Sequence, residues 1–370
     1  MITFRAPGRV NLIGEHTDYN AGFVMPAAIN LSAYASVTPR EDRKLQIRST
    51  NFEDEVEIDL GDAILKAPRG QSHWSDYPIG VAVTLERAGY RLRGGRLEIM
   101  SEVPMGSGLS SSAAVEVSTA CALAANSNIA IDRQELALLC QKAENEFVGA
   151  RVGIMDQFVS LFGEAQHALL LDCRSLDYKL LPLPANVRLV VCNTMVKHAN
   201  ASSAYNERRA QCEAGVEHFA RFLPHVKALR DVTLEDLEVY GADLPEVVQR
   251  RCRHVITENA RVLAASEALE QHDMCSFGRL MYDSHFSLRY DYEVSSRQLN
   301  LMVAMAINVE GVYGARMTGG GFGGCTVNIV EAERVADFQQ AVSHGYHQIT
   351  GLKPEIYVCE ASKGAEQITS

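Results

Sequence analysis

The sequence lacks the cysteine pattern of a disulfide-bonded or zinc-binding protein. Its nine cysteines are an odd number, they lie far apart, and no two of them form a C-x-x-C pair. A disulfide framework needs paired cysteines, and a structural zinc site needs closely spaced ligands. Because most of the cysteines lie in apolar stretches, we expect buried free thiols and a cytoplasmic protein.

The chain also has little positive charge. It has 35 Lys and Arg against 46 Asp and Glu, which gives a formal net charge of −11 at pH 7. Nucleic acids and anionic membranes need a basic surface to bind, and short basic runs such as residues 91–96 are typical of solvated faces. We therefore expect small molecules as partners, with no nucleic acid and no membrane among them. We also expect a monomer.

Long apolar runs are absent as well. No stretch approaches the length that a membrane-spanning helix needs, and the first residues contain no apolar signal region. The sequence has no internal repeat and no low-complexity linker, so nothing in it predicts a repeat architecture. With 370 residues, the chain is long enough for two medium domains with proper cores.

The first half predicts a mixture of strands and helices. Alternating or strand-like runs predict strands at residues 45–49, 55–60 and 96–103. Residues 132–147 predict a helix that begins at a capping box formed by Asp132 and Glu135, because its apolar residues form one stripe.

The second half has a different pattern. Residues 203–308 predict mainly helices, and strand patterns return at 325–330 and 355–360. This order favours an α+β fold over a strictly alternating parallel sheet. A proline-containing segment separates the two patterns, so we expect an N-terminal domain of residues 1–178 and a C-terminal domain of residues 179–370.

Residues 8–20, GRVNLIGEHTDYN, have a high density of polar groups. An acid, an imidazole, a hydroxyl, a second acid and a phenol occupy the consecutive positions Glu15 to Tyr19. Three of these are metal-ligand types, but the helical spacing of an H-E-x-x-H site is missing. The pattern alone leaves open a metal site, a catalytic base with its helper, or a clamp for a hydroxyl-rich ligand.

Residues 104–125 contain a glycine- and serine-rich loop between a predicted strand and a predicted helix. Gly106 and Gly108 allow a close backbone approach, and the free N–H groups at the start of the helix favour phosphate. The hydroxyls of Ser110, Ser111 and Ser112 could bind phosphate oxygens or Mg²⁺. The loop has neither the lysine of a Walker A motif nor the third glycine of a Rossmann motif, and a plain helix N-cap is the simpler alternative.

A second glycine-rich segment, residues 316–330, contains a literal G-x-G-x-x-G pattern. The strand-like run that follows it contradicts a dinucleotide-binding motif, which needs a helix at that point. The glycines still indicate backbone that is held close to a ligand or to another segment.

Two acids are candidates for chemistry. Asp156 lies among apolar residues in segment 149–163, where a carboxylate needs a hydrogen bond or a cation. It could be a general base for a hydroxyl, or only an acid at a helix N-terminus. Arg9, in the short loop PGRVN, is the matching cation. Glu144 could bind Mg²⁺ together with a phosphate-loop hydroxyl, or could be a solvated helix residue.

Together these segments resemble the galactokinases, a family of the GHMP kinase superfamily. The resemblance covers nearly the whole chain and is carried by residues 8–20, 104–114, 153–158 and 317–325, with further agreement at 202–212 and 284–295. The opening motif is highly specific, whereas the glycine-rich loops alone would indicate only the superfamily. The resemblance implies a two-domain GHMP kinase fold with the active site in the cleft between the domains.

The resemblance also implies an activity, the transfer of the ATP γ-phosphate to the anomeric hydroxyl of galactose in the presence of Mg²⁺. It implies that Asp156 is the base and that Arg9 stabilises the transferring phosphate. It implies sugar binding by Glu15, His16, Asp18, Gly153 and Tyr205, and metal binding by Ser112 and Glu144. It implies ATP binding by Pro104, Gly106, Ser107, Gly108, Leu109, Ser110 and Ser111, with Trp74 and Tyr77 near the adenine. Core packing is the alternative for Trp74, the only tryptophan of the chain.

Other functions compete with this one. A kinase for another sugar, such as N-acetylgalactosamine or L-arabinose, shares the same motifs. A non-catalytic galactose sensor would be expected to have a damaged phosphate loop, whereas this loop is intact. A dinucleotide-dependent oxidoreductase rests only on the second glycine pattern, which its context contradicts.

Overall fold

The structure is a computed structural model that describes residues 1–61, 73–196 and 201–368. The strands are β1 (Ile2–Ile13), β2 (Phe23–Pro39), β3 (Lys44–Ser49), β4 (Glu55–Asp59), β5 (Gly95–Ser101), β6 (His167–Asp172), β7 (Tyr178–Pro182), β8 (Val187–Asn193), β9 (Val312–Thr318), β10 (Cys325–Glu331), β11 (Glu355–Cys359) and β12 (Glu366–Ile368). The helices are α1 (Asp76–Arg87), α2 (Ser111–Asn126), α3 (Arg133–Ala143), α4 (Met155–Phe162), α5 (Ala201–Ala220), α6 (Leu234–Tyr240), α7 (Glu246–Glu270), α8 (Met274–Tyr290), α9 (Arg297–Ala306) and α10 (Val335–Thr350).

Within these ranges, eight strands form a first, mainly antiparallel sheet. Its order is β12–β1–β2–β5–β3–β4, and β6 joins β2 to β7. The long strands β1 and β2 pair along most of their length, and α2 packs across both of them. This packing holds the start of α2 above the middle of β1, where Arg9 lies.

The position of Arg9 corrects a sequence-based prediction. Arg9 lies within β1 and not in a loop, although Pro7 and Gly8 precede it. The pairing of β1 with β2 shifts register between Pro7 and Arg9 and again between Asn11 and Ile13. Such irregularities accommodate proline and glycine in a strand and change the direction of its side chains. The strand β2 was not expected from the sequence at all.

The second sheet is antiparallel, with the order β11–β8–β10–β9. Helices α8 and α9 pack on β9, and α10 packs on α9. One core cluster includes Val10 and Met25 of the first sheet together with Val191 and Val327 of the second, so the two halves share buried apolar surface. The C-terminal strand β12 pairs with β1, so a strand of the second half belongs to the sheet of the first half. The predicted domain boundary between residues 178 and 179 therefore stays a prediction.

The helix that was predicted at 132–147 has two parts. Helix α3 ends at Ala143, and residues 144–148 form a π-helical turn, a feature that is frequent at functional sites. The Asp132 side chain caps α3 as expected. Among the described residues only one half of the predicted capping box forms: the Glu135 N–H donates to Asp132 Oδ1 at 3.2 Å, whereas the Glu135 carboxylate accepts from the Tyr90 hydroxyl at 2.7 Å.

The other predictions about secondary structure agree with the fold. The predicted strands correspond to β3, β4, β5, β10 and β11, and the region 203–308 is mainly helical. All nine cysteines are free, and most of them are buried, although Cys275 is exposed. Within the described ranges, no helix is both long enough and apolar enough to cross a membrane.

Candidate active site

Arg9 and Asp156 form a bidentate ion pair. Arg9 Nε donates to Asp156 Oδ1 at 2.8 Å, and Arg9 Nη2 donates to Oδ2 at 2.7 Å. The Arg9 side chain is buried, whereas 21% of the Asp156 side chain is exposed. Burial opposes the charge of Arg9, but the carboxylates of Asp156 and Glu15 outweigh it and raise the pKa of the guanidinium. The pairing that the sequence predicted is confirmed, and the chemical roles of the two residues stay predictions.

Ser110 joins this pair to the phosphate loop, residues 104–110. The Ser110 hydroxyl donates to Asp156 Oδ2, and Arg9 Nη1 donates to the Gly108 carbonyl at 2.6 Å. Ser110 adopts a left-handed conformation, with φ of 59°, and its side chain does not cap α2. The simple N-cap interpretation is therefore wrong. The first N–H groups of α2 keep the uncapped arrangement that suits a phosphate.

The phosphate loop exposes its glycines and Met105 and buries Ser107 and Leu109. Gly106 and Gly108 are exposed and have positive φ. The buried Ser107 hydroxyl donates to the Pro104 carbonyl at 2.6 Å, and the Leu109 side chain lies in the core. Among the residues that were predicted to bind ATP, Ser107 and Leu109 thus direct their side chains into the protein.

The glycine-rich segment 319–324 packs directly on the phosphate loop. A Cβ on Gly319 would lie 3.1 Å from the Gly108 carbonyl oxygen, and one on Gly324 would lie 3.0 Å from the Ser107 carbonyl oxygen. Both glycines have positive φ. The sequence left open whether this segment approaches a ligand or another segment, and the structure places it against the phosphate loop.

A cavity of about 620 Å³ opens where these two loops meet. One side is formed by the phosphate loop and segment 148–152, and the other by Tyr205 and Asn206 of α5 and segment 318–324. Residues of both halves of the chain therefore line the cavity, as expected for an active site between the halves.

A second cavity of about 290 Å³ lies beside the phosphate loop. Trp74 and Tyr77 line it, as predicted, together with Ser111 and Ser112. Phe52 stacks on Trp74 with ring centroids 5.4 Å apart and nearly parallel planes. Trp74 is half-buried, lines this cavity and also packs against the core of the first sheet, so its place near an adenine stays a prediction.

Sequence reasoning missed the other wall of this cavity. Asn51 and Phe52 come from the turn between β3 and β4, and His73 precedes α1. The Asp54 carboxylate accepts from Trp74 Nε1 at 2.7 Å and lies 2.9 Å from His73 Nε2. No local motif signals these contacts, because the turn and the segment before α1 meet only in the folded chain.

His16 and three tyrosines form a cluster that we call the aromatic wall: His16, Tyr19, Tyr205 and Tyr292. The rings of His16 and Tyr205 lie 5.4 Å apart, and those of His16 and Tyr292 lie 4.7 Å apart. Burial and nearby His254 lower the pKa of His16 to about 3, so the imidazole is neutral. The sequence predicted His16 and Tyr205 at this site but missed Tyr292, which lies just beyond α8.

Asp18 and Gly153 touch each other beside this wall. A Cβ on Gly153 would lie 1.9 Å from Asp18 Oδ2, so only glycine fits there without movement. Burial and the Asp156 carboxylate raise the pKa of Asp18 to about 7. The structure thus brings Asp18, Gly153 and Asp156 together, although the sequence separates Asp18 from the other two.

Glu15 lies behind the wall, with both carboxylate oxygens already bonded within the protein. The Gly319 N–H donates to Oε1 at 2.6 Å, and the Asn11 amide donates to Oε2. The buried Arg316 guanidinium lies 3.5 Å from Oε1. Burial nevertheless raises the pKa of Glu15. The structure gives Glu15 a bracing position between the opening motif and segment 319–324, and sugar binding by Glu15 stays a prediction.

Ser112 lines the 290 Å³ cavity, and its hydroxyl bonds to the Glu144 carboxylate. Glu144 is buried, and neutral groups are its hydrogen-bond partners: the Ser112 hydroxyl and the Gln157 amide, the latter at 2.6 Å. Burial and the Asp156 carboxylate raise the pKa of Glu144 to about 7. A buried carboxylate beside a hydroxyl and a phosphate-binding loop fits Mg²⁺, which prefers few protein oxygens plus phosphates.

Three family models match the chain. The GHMP kinases N terminal domain matches residues 76–164, the galactokinase galactose-binding signature matches residues 2–39, and the GHMP kinases C terminal model matches residues 265–348. The signature includes Arg9 and the opening motif.

Similar proteins cover the chain almost completely. The galactokinase of Roseiflexus sp. (strain RS-1) is 46% identical over 99% of this chain and 93% of its own length. That of Chloroflexus aggregans is 49% identical over 97% of this chain and 92% of its own length. A crystal structure of Lactococcus lactis galactokinase complexed with galactose superposes with a TM-score of 0.94 and 36% identity, covering 99% of this chain and 95% of that one.

Proposed function

Because the chain belongs to the galactokinase family of the GHMP kinases, we propose that it transfers the ATP γ-phosphate to the anomeric hydroxyl of D-galactose. The observation that carries this proposal is the cluster of Arg9, Ser110 and Asp156 at the junction of β1, the phosphate loop and α4. It combines a carboxylate, a fixed cation and a phosphate-binding helix start, which are the parts that phosphoryl transfer needs.

Asp156 Oδ1 is the proposed proton acceptor. Oδ2 accepts from both Arg9 and Ser110, whereas among the described residues Oδ1 accepts only from Arg9 Nε. A carboxylate oxygen has room for a second hydrogen bond, so Oδ1 can accept the sugar hydroxyl. Arg9 holds the carboxylate in place and offers positive charge where negative charge develops on the transferring phosphate.

The uncapped start of α2 is the proposed phosphate site. Ser111 and the exposed Gly106 and Gly108 offer backbone to the phosphates, and the 290 Å³ cavity with Trp74 and Tyr77 is the proposed adenine site. Ser112 and Glu144 would hold Mg²⁺, which neutralises phosphate charge when it is bound.

His16, Asp18, Gly153 and Tyr205 are the proposed sugar-binding residues. Asp18 and Tyr205 lie near Asp156, Gly153 contacts Asp18, and the His16 ring lies beside Tyr205. The set offers an imidazole, a carboxyl, a backbone and a phenol to the hydroxyls of a sugar. Glu15 braces this set through Gly319. We also propose that the chain acts as a monomer, which light scattering on the purified protein would test.

A sugar panel tests the proposal. Purified protein with ATP and Mg²⁺ is assayed with D-galactose, N-acetylgalactosamine, L-arabinose and D-glucose, and kcat/KM is compared. We expect D-galactose to have the highest value by a wide margin. A comparable kcat/KM for another sugar would contradict the proposed substrate, and sugar binding without turnover would favour a galactose sensor.

A further inference from the structure

A chain of hydrogen bonds runs from His16 away from the cavity into the helical half of the protein. His16 Nδ1 lies 2.9 Å from the Tyr19 hydroxyl, which lies 2.7 Å from the Tyr292 hydroxyl. The Tyr292 hydroxyl lies 3.1 Å from Cys212 Sγ. Tyr292 and Cys212 are fully buried. The chain therefore links the opening motif to the end of α8 and to α5.

The hydrogens of this chain can run in only two directions, because each hydroxyl and the thiol carry one hydrogen. In the first, the thiol donates to Tyr292, Tyr292 donates to Tyr19, and Tyr19 donates to His16 Nδ1. In the second, each of these bonds is reversed. Burial raises the pKa values of Tyr19 and Tyr292 well above their ordinary range, so both phenols keep their hydrogens.

The first direction has the better pairs of donor and acceptor. It matches a phenol donor with an imidazole nitrogen, which is a good acceptor. The second direction would make the phenol oxygen of Tyr19 accept from the imidazole, whereas the bond to the Cys212 sulfur is weak in both directions. The chain of hydroxyls therefore favours the neutral tautomer of His16 that has its hydrogen on Nε2.

Nε2 of His16 is buried, and no hydrogen bond of standard geometry reaches it from the described residues. The Gly320 backbone, which lines the 620 Å³ cavity, favours a protonated ring nitrogen. The neighbouring ring of Tyr205 lines the same cavity. The Gly320 backbone therefore favours an N–H over a bare nitrogen at Nε2, and this N–H forms no hydrogen bond of standard geometry with the described residues.

We propose that Tyr19 and Tyr292 are positioning residues that fix the tautomer of His16, so that Nε2–H donates a hydrogen bond to one hydroxyl oxygen of the sugar. The proposal rests on the proposed function for the identity of the ligand. It adds that the aromatic wall selects a sugar with a hydrogen-bond-accepting oxygen at this position. This selectivity depends on residues of the helical half that do not contact the sugar.

The tautomer can be read directly, without any ligand, by ¹⁵N NMR of protein labelled at histidine. The His16 signals are identified by their loss in the variant His16→Gln. We expect wild-type His16 to carry its hydrogen on Nε2 at neutral pH, and Tyr19→Phe to shift the population toward the Nδ1–H form. Tyr292→Phe keeps the Tyr19 donor, so its shift should be smaller. The control Tyr290→Phe, at an exposed position, should leave the signals unchanged.

Kinetics give the second readout. We expect Tyr19→Phe to raise KM for galactose about 3- to 10-fold, the usual effect of one neutral hydrogen bond, with kcat and KM for ATP nearly unchanged. In a series of monodeoxygalactoses, one compound should lose less affinity in Tyr19→Phe than in the wild type, because its missing oxygen is the one that His16 contacts.

Two results would overturn the proposal: a wild-type His16 with its hydrogen on Nδ1, or the same tautomer in the wild type, Tyr19→Phe and Tyr292→Phe. A merely structural role would lower stability without moving the tautomer or selecting one deoxy sugar. If the wild type bound no galactose while His16 carried its hydrogen on Nε2, the proposed function would fail and the assignment of the tautomer would stand.

Discussion

The two sides of the candidate active site are built in different ways. On the sugar side, polar groups from both halves of the chain bond to one another before any ligand arrives: the Gly319 N–H donates to the Glu15 carboxylate, and the Tyr19 and Tyr292 hydroxyls bond to each other. On the nucleotide side, the site consists of exposed glycines, an uncapped helix start and a cavity partly walled by Phe52, which is 37% exposed. The sugar side is preorganised, whereas the nucleotide side is completed by its ligand.

This difference follows from the chemistry of the two ligands. A neutral sugar offers only hydroxyls, so its recognition depends on donors and acceptors that are already fixed in direction. A nucleotide carries charge, and a helix start with free N–H groups attracts phosphate without precise side-chain placement. Substitutions on the sugar side should therefore act through geometry, and those on the nucleotide side through charge.

The largest effect is expected where the two sides meet. Asp156→Asn removes the proposed proton acceptor but keeps the shape of the side chain, so kcat should fall by about 10²- to 10⁴-fold. Isothermal titration should show galactose binding close to that of the wild type. Asp283→Asn, at an exposed position of α8, is the control. Near-normal turnover in Asp156→Asn would remove Asp156 from the chemistry.

The charge of the nucleotide side can be tested at Glu144. Glu144→Gln removes the proposed metal ligand, and the Mg²⁺ concentration for half-maximal activity should rise by about 10- to 100-fold, while KM for galactose stays nearly constant. Glu146→Gln, two residues later and exposed, should behave as the wild type does. An unchanged Mg²⁺ requirement would contradict the assignment of Glu144.

The geometry of the sugar side can be tested at Gly153. Gly153→Ala places a Cβ against the Asp18 carboxylate, and overpacking of this kind costs about 1–3 kcal/mol of folding stability. Because the Asp18 carboxylate must move away from its place in the proposed sugar site, KM for galactose should rise by about 3- to 10-fold, the effect of one lost hydrogen bond, while KM for ATP changes little. Gly345→Ala on α10, where the Cβ meets the flexible Met305 side chain, is the control. Equal effects on both KM values would contradict a separate sugar side.

The smallest effect concerns the pH dependence of stability without ligand. Asp18 has a pKa of about 7 in the folded protein and an ordinary value of about 4 when unfolded. Its protonated form stabilises the fold fully below about pH 4, and this contribution is lost as pH rises through about 7. Asp18→Asn carries no such charge, so its Tm should exceed that of the wild type at pH 8 by about 2–4 °C.

The comparison for Asp18 is made by thermal unfolding across this pH range. The difference between variant and wild type should shrink as pH falls and vanish below about pH 4, where the carboxyl becomes protonated in both states. Parallel Tm curves for the two proteins would show that the Asp18 carboxyl is not held protonated by the site.

The predictability of the site differs between its two sides. The phosphate loop could be predicted, because its strand, glycines and helix start are consecutive in the sequence, and so could the pairing of Arg9 with a lone acid. The position of Arg9 within a strand could not be predicted, because the bulges that accommodate Pro7 and Gly8 depend on the pairing with β2. Phe52 and Tyr292 carry no local signal, since their neighbours in the site are remote in sequence.

The sequence by itself determined the kinds of groups that the site contains and the local frames that hold them, because capping, glycine conformations and apolar periodicity act over a few residues. Only the tertiary structure decided what each group does with its hydrogen bonds. It turned Ser110 from a helix cap into a donor to Asp156, and it turned Glu15 from a free carboxylate into a brace. The physical reason is that a polar group in a buried site bonds to whatever the fold brings within reach, and that choice is made between segments that the sequence keeps far apart.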